Sequence, residues 1–211
     1  MPLDGIQAEQ LAYWYFRLNG YFTIKGFVVH PDIGIGQQTE IDIFGVRFPH
    51  RSELLIDVMI DDDIIIDDDK IQVVIVEVKA GLCKINKTWR DKTSQNIERF
   101  LRAVGILGSE EIEKAAQKLY TNGIFENDSF NIEIILVGKH FNSGLEKQYP
   151  LITQVLFEDI LKFIYNRFDK YRLQKSYHDQ WDDFGKELWR NYVASQNEEG
   201  FIQKYLDSEA T

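Results

Sequence analysis

Ile75-Val76-Glu77-Val78-Lys79-Ala80-Gly81 ends a nearly continuous apolar run that begins at Ile71 and includes Val73 and Val74. A short β-branched run closed by glycine reads as a central strand, residues 71–79, buried on both faces. Successive strand side chains point to opposite faces, so Glu77 and Lys79 share one face while Val76 and Val78 take the other. The strand rise sets the Glu77 and Lys79 Cα atoms about 6.6–6.8 Å apart. A carboxylate and an ammonium at the end of an apolar strand need a reason, because buried charge is costly unless it is paired or bound to a cation. The spacing alone leaves a plain ion pair and a catalytic pair equally open.

The upstream stretch Gln38-Thr39-Glu40-Ile41-Asp42-Ile43-Phe44-Gly45 bears on that choice. Residues 39–48 alternate in polarity and read as a second strand with Asp42 at its middle. If the two strands lie side by side, Asp42 and Glu77 converge on one cation, and oxygen ligands of this kind suit Mg²⁺ or Mn²⁺. Residues 5–18 read as a helix with a broad apolar face, ended by Asn19-Gly20, and carry a third carboxylate, Glu9.

Residues 21–30 read as the first strand, and 31–38 as a Gly-containing loop. Residues 53–60 are apolar enough to prolong the second strand or pair with it. Asp61-Asp62-Asp63 and Asp67-Asp68-Asp69 flank three isoleucines. They lack the Gly and the closing Glu of a calcium loop, so a solvated acidic excursion is expected. Helices are expected over 91–104 and 109–121, a buried strand over 131–138, and a loop over 139–150. A short strand at 153–157, a helix over 158–171, a helical stretch over 177–194 and a short final helix over 197–207 complete the chain. Strands alternating with helices predict an α/β fold around one mixed sheet. Residues 1–171 form the main domain, and 172–211 a helical extension packed on it. The aromatic residues from Tyr165 to Tyr192 read mostly as core packing, with a homodimer surface as the other possibility.

A helix bearing Glu9, a strand with Glu40-Ile41-Asp42 and a strand with Glu77-Val78-Lys79 together resemble the PD-(D/E)xK nuclease superfamily, which includes type II restriction endonucleases and archaeal Holliday junction resolvases. The resemblance covers residues 5–138. It implies a restriction endonuclease-like αβββαβ core with a central mixed sheet flanked by helices. It further implies that Asp42, Glu77 and the main-chain carbonyl of Val78 bind Mg²⁺ or Mn²⁺, that Glu9 completes the shell, and that Lys79 orients or deprotonates the attacking water. The chain departs from the named motif in having Ile41 before Asp42 rather than proline. It also has a long gap from Asp42 to Glu77, which the segment 53–70 accounts for.

The formal net charge of −10 counts against a protein that coats nucleic acid nonspecifically. One stretch runs the other way. Lys79, Lys84, Lys87, Arg90, Lys92, Arg99 and Arg102 face only Asp91 and Glu98, a local net of +5. Directly after the motif, Lys84, Lys87, Arg90, Lys92 and Arg99 are candidates for holding backbone phosphates, with Gln95 as a polar neighbour. Trp89 is read either as a base-stacking residue or as plain core. The four histidines have no metal-ligand spacing. A single cysteine, Cys83, excludes an intrachain disulfide and a cysteine-based zinc cluster. No signal-peptide pattern and no long apolar run are visible, so a cytoplasmic protein without a membrane span is expected. The function expected from the sequence is metal-dependent phosphodiester hydrolysis, with DNA as the substrate. The alternative is a silent nuclease-fold module that binds nucleic acid or protein.

Overall fold

In the computed structural model, which describes residues 3–56, 60–62, 69–177, 179 and 181–206, the chain begins with α1 (Gly5–Leu18). Asp4 caps this helix by accepting from Gln7 N (2.8 Å), while the Gln7 side chain accepts from Asp4 N. This reciprocal box satisfies two amide groups that the first turn leaves without helical partners. The buried face of α1 carries Leu11, Trp14, Tyr15 and Phe16.

The sheet is mixed. Its strands are β1 (Phe22–Val29), β2 (Thr39–Arg47), β3 (Ile71–Leu82), β4 (Ile124–Glu126), β5 (Phe130–His140) and β6 (Thr153–Leu156). They lie in the order β1-β2-β3-β5-β4, with β6 also paired to β5. β1, β2 and β3 form an antiparallel meander, and β5 returns parallel to β3. β4 takes Asn131–Glu133 of the outer edge of β5, and β6 takes Ile135–Gly138.

β3 sits between β2 and β5 and is buried from Gln72 to Val78, as its apolar run requires. Val73 and Ile75 enter one core with α2 (Asn96–Val104) and α3 (Ser109–Asn122). Val74, Val76 and Val78 enter the other core with α1 and α5 (Phe157–Lys170). The chain is therefore α/β, with a mixed central sheet flanked by helices.

Several expectations need correction. β3 does not close at Gly81 but runs on to Leu82 through an irregularity after Lys79. Residues 53–56 and 60 form no strand, and Leu55 and Ile56 are fully exposed. Both edges of β2 are already occupied by β1 and β3, so no partner is left for them. Residues 57–59 lie outside the described residues. The expected helix 91–104 starts only at Asn96. Asp91 accepts from Thr93 N (3.0 Å) to cap a short 3-10 turn, and Gln95, at φ 53°, breaks the path into α2. The expected loop 139–150 contains α4 (Ser143–Gln148), capped by Asn142, and β4 is an added strand.

Asp61 and Asp62 are not a solvated excursion. Asp61 pairs with Arg47 (2.7 Å), Arg51 (3.1 Å) and Arg167 (2.9 Å), and Asp62 accepts from the Tyr15 hydroxyl (2.9 Å). The rest of the acidic segment through Asp68 lies outside the described residues, as do His178 and the polar tail from Asp207.

The C-terminal part comprises α6 (Arg172–Lys175), α7 (Asp183–Ala194) and α8 (Glu198–Leu206). The stretch expected to be helical from 177 becomes so only at Asp183, because Asp182 is the cap and accepts from Gly185 N (2.8 Å). Phe168, Tyr171, Trp189 and Tyr192 are buried, and Tyr177 is exposed. Trp181 stacks on Phe168 and lies 4.8 Å from Trp14, ring centre to ring centre. Leu188, Trp189, Tyr192, Phe201 and Tyr205 share one core with α1 and α5. Gly185 lets α7 lie close against α1, since a Cβ there would stand 2.0 Å from the Trp14 ring. Gly185→Ala is expected to cost about 1–3 kcal/mol by overpacking. Urea unfolding followed by tryptophan fluorescence checks this, and an unchanged midpoint would show that α7 has room to move off α1. Among the described residues no helix is long and apolar enough to cross a membrane.

Candidate active site

The β2–β3 pairing runs from Arg47↔Gln72 to Ile43↔Val76 and stops there. One step further, Asp42 stands opposite Glu77. The Val78 N–H now donates to the Asp42 carboxylate (Oδ2, 2.7 Å). A side chain thus takes over a backbone hydrogen-bonding position at the point where the strands part, which fixes Asp42 against the motif on β3.

Lys79 closes the arrangement. Its Nζ donates to the Val78 carbonyl (2.9 Å) and to Glu77 Oε2 (3.3 Å), and lies 3.6 Å from Asp42 Oδ2. Three oxygens from three consecutive decisions of the fold therefore surround one positive charge: a β2 side chain, a β3 side chain and a β3 carbonyl. Gly138 stands beside Lys79 in the β3–β5 register, and a Cβ there would come within 2.9 Å of the Gly81 carbonyl. The irregular end of β3 can approach β5 closely because that residue has no side chain.

Glu77 is fully buried. Its Oε1 accepts a hydrogen bond from the Trp89 indole N–H. Burial, and next the neighbouring Asp42 charge, push its pKa up to about 7, against the opposing pull of Lys79 and Trp89. Burial beside a second carboxylate thus disfavours the charged form of Glu77, and Lys79 and the Trp89 indole only partly offset it.

Glu9 belongs to the same electrostatic neighbourhood. Burial raises its pKa first, then the charges of Asp42 and Glu40, while Lys79 and Lys25 oppose the rise. It is not gathered into a tight cluster with the other two. Among the described residues no group of three or more His, Cys, Asp or Glu side chains is placed to hold an ion. The donor set that does converge is two carboxylates and one carbonyl. That all-oxygen set fits a hard cation such as Mg²⁺, which keeps several waters and commonly takes only one or two carboxylates.

The basic residues after the motif are distributed differently from a helix face. Lys84 follows the end of β3, and Lys87, Arg90 and Lys92 lie in and beside two 3-10 turns, Lys87–Trp89 and Lys92–Ser94. Lys84, Lys87, Arg90, Lys92 and Gln95 are exposed. Arg99, on α2, is paired with Asp32 of the β1–β2 loop and is not free to hold a phosphate unless that pair opens. Trp89 is fully buried, so it cannot stack on a base. Its role as the partner of Glu77 was missed in the sequence. The usable signal was that a buried indole N–H needs an acceptor and that a buried carboxylate lies on the adjoining strand. His30, His50 and His140 are exposed, and Cys83 is buried in the core.

No protein family, no curated protein and no solved structure matches this chain.

Proposed function

We propose that this chain is a divalent-cation-dependent nuclease of the PD-(D/E)xK type, with a restriction endonuclease-like core, acting on DNA. The observation that carries the proposal is the convergence of Asp42, Glu77 and the Val78 carbonyl around one positive charge where β2 and β3 part. Asp42, Glu77 and the Val78 carbonyl would hold Mg²⁺ or Mn²⁺, and Glu9, which feels the charges of Asp42 and Lys79, would add to the negative field around the cation. When bound, the cation would supply charge neutralisation on the scissile phosphate and a more acidic water.

The chain's own groups do the rest. Lys79, displaced from the oxygens it now occupies, keeps a positive charge beside the phosphate and offers a donor to the water that attacks it. The Asp42 hydrogen bond to Val78 N–H holds the first carboxylate in place as the ammonium moves. The exposed Lys84, Lys87, Arg90 and Lys92 give a basic approach on a chain that is acidic as a whole, which favours a localised nucleic-acid contact.

The test is cleavage of plasmid, linear and single-stranded DNA and of RNA in Mg²⁺, Mn²⁺ and EDTA. Lys79→Ala is expected to slow metal-dependent cutting of DNA by about 10²–10⁴-fold. A purified wild type that cuts none of the four substrates in either metal would overturn the nuclease reading. It would point instead to a binding module built on the same fold.

A further inference from the structure

The turn that carries Trp89 faces two ways. Outward, it presents Lys87 and Arg90 to solvent. Inward, it sends the Trp89 indole N–H to Glu77 Oε1. The turn is tied together by Trp89 N to Asn86 O (3.1 Å), Arg90 N to Lys87 O (3.0 Å) and Asp91 N to Lys87 O (3.0 Å). It is latched to the first turn of α2 by Asn96 Nδ2 on the Thr88 carbonyl (3.0 Å). The Trp89 ring itself is fully buried in the core that contains Cys83, Ile85, Ile97 and Phe100, so it cannot swing away.

A carboxylate has two equivalent oxygens and a broad terminal torsion, so it needs an external partner to fix its plane. In Glu77 one oxygen is engaged by the indole, and the other, Oε2, is left facing Lys79. We propose that Trp89 is a positioning residue for this site: it fixes Glu77 so that only Oε2 is presented to the cation, and it ties that orientation to the turn through which Lys87 and Arg90 meet the nucleic-acid backbone. This rests on the nuclease reading. Groups that orient a metal ligand in this way typically change metal affinity or activity by about 10–100-fold when removed.

Trp89→Phe keeps a ring in the pocket and removes the donor. Calorimetric titration of the DNA-free variant with Mn²⁺ is expected to show affinity about 10–100-fold weaker than wild type. At saturating DNA, kcat is expected to fall by a similar factor, with KM for DNA within about twofold, because Lys87 and Arg90 are untouched. A second readout uses the intact wild type. The Trp89 indole ¹⁵N–¹H signal, identified by its response to Glu77→Gln, is expected to move saturably with Mg²⁺ while the signals of Trp14, Trp181 and Trp189 stay in place. This readout stands even if the Phe variant fails to fold. A folded Trp89→Phe with wild-type Mn²⁺ affinity and kcat overturns the positioning role alone. So does an indole signal that ignores saturating Mg²⁺ in a protein that cuts DNA. A wild type that neither binds Mn²⁺ nor cuts nucleic acid overturns the nuclease reading and the positioning role with it.

Discussion

Glu77→Gln is expected to abolish DNA cleavage and, at the same time, to make the cation-free protein more stable. The two effects share one cause. Glu77 has no exposed surface, and burial with Asp42 beside it raises its pKa from 4.5 to about 7. A pKa raised on folding means that the ionised form is worse off in the folded chain than in the unfolded one. The penalty is absent below the unfolded value, grows as pH rises through the window from 4.5 to about 7, and is complete above it. The amide removes the charge while its oxygen can still accept from Trp89. Against that gain, its NH₂ faces Lys79, so a net of about 1–2 kcal/mol is expected above pH 7, which is about 2–4 °C in Tm per kcal/mol. Thermal unfolding in EDTA at pH 5 and pH 8 reads this directly. The variant should melt higher at pH 8, with the difference shrinking at pH 5. A lower melting point at pH 8 would show that the carboxylate is a structural partner of Lys79 and Trp89, and would remove the stability argument for a functional site.

Asp61→Asn is expected to cost about 3–5 kcal/mol of stability. Asp61 is the shared counter-charge of three arginines. Arg47 and Arg167 leave only 4% and 1% of their side chains exposed, and Arg51 joins them from the loop after β2. Arg47 also donates to the Asn19 carbonyl (3.2 Å) at the end of α1, and Arg167 to the Ile60 carbonyl (2.7 Å). One carboxylate therefore joins β2, the α1 terminus and α5. Removing its charge takes away the carboxylate that these guanidinium groups share, two of them buried, which is far more costly than losing an exposed pair. Asp32→Asn is the control, because its pair with Arg99 is largely exposed on the aspartate side. It should cost less than about 1 kcal/mol. Equilibrium urea unfolding of both variants decides the matter, and a loss below about 1 kcal/mol for Asp61→Asn would show that water replaces the missing charge.

The parts of this protein that were legible in its sequence are those set by local periodicity. The nearly continuous apolar run of β3 announced a strand buried on both faces. The broad apolar face from Ile6 to Leu18, closed by Asn19-Gly20, announced α1, although Ile6 itself is exposed, and the period of two put Glu77 and Lys79 on one side. These are single-segment properties, fixed by backbone geometry before any partner is chosen. The α/β arrangement followed from the alternation of such segments. What stayed hidden depended on partners distant in the chain. The place of Asp42 against Val78 N–H is a matter of inter-strand register. The burial of Trp89 depends on how a turn after β3 folds back under the sheet. The late start of α2 turns on one residue, Gln95, in a left-handed conformation, and the fate of Asp61 on three arginines gathered from β2, a loop and α5. An acidic triplet looks solvated in isolation because charge is costly to bury. Only the tertiary structure brings the guanidinium groups that reverse that balance, just as only strand pairing brings a second carboxylate, Asp42, to the charge of Lys79.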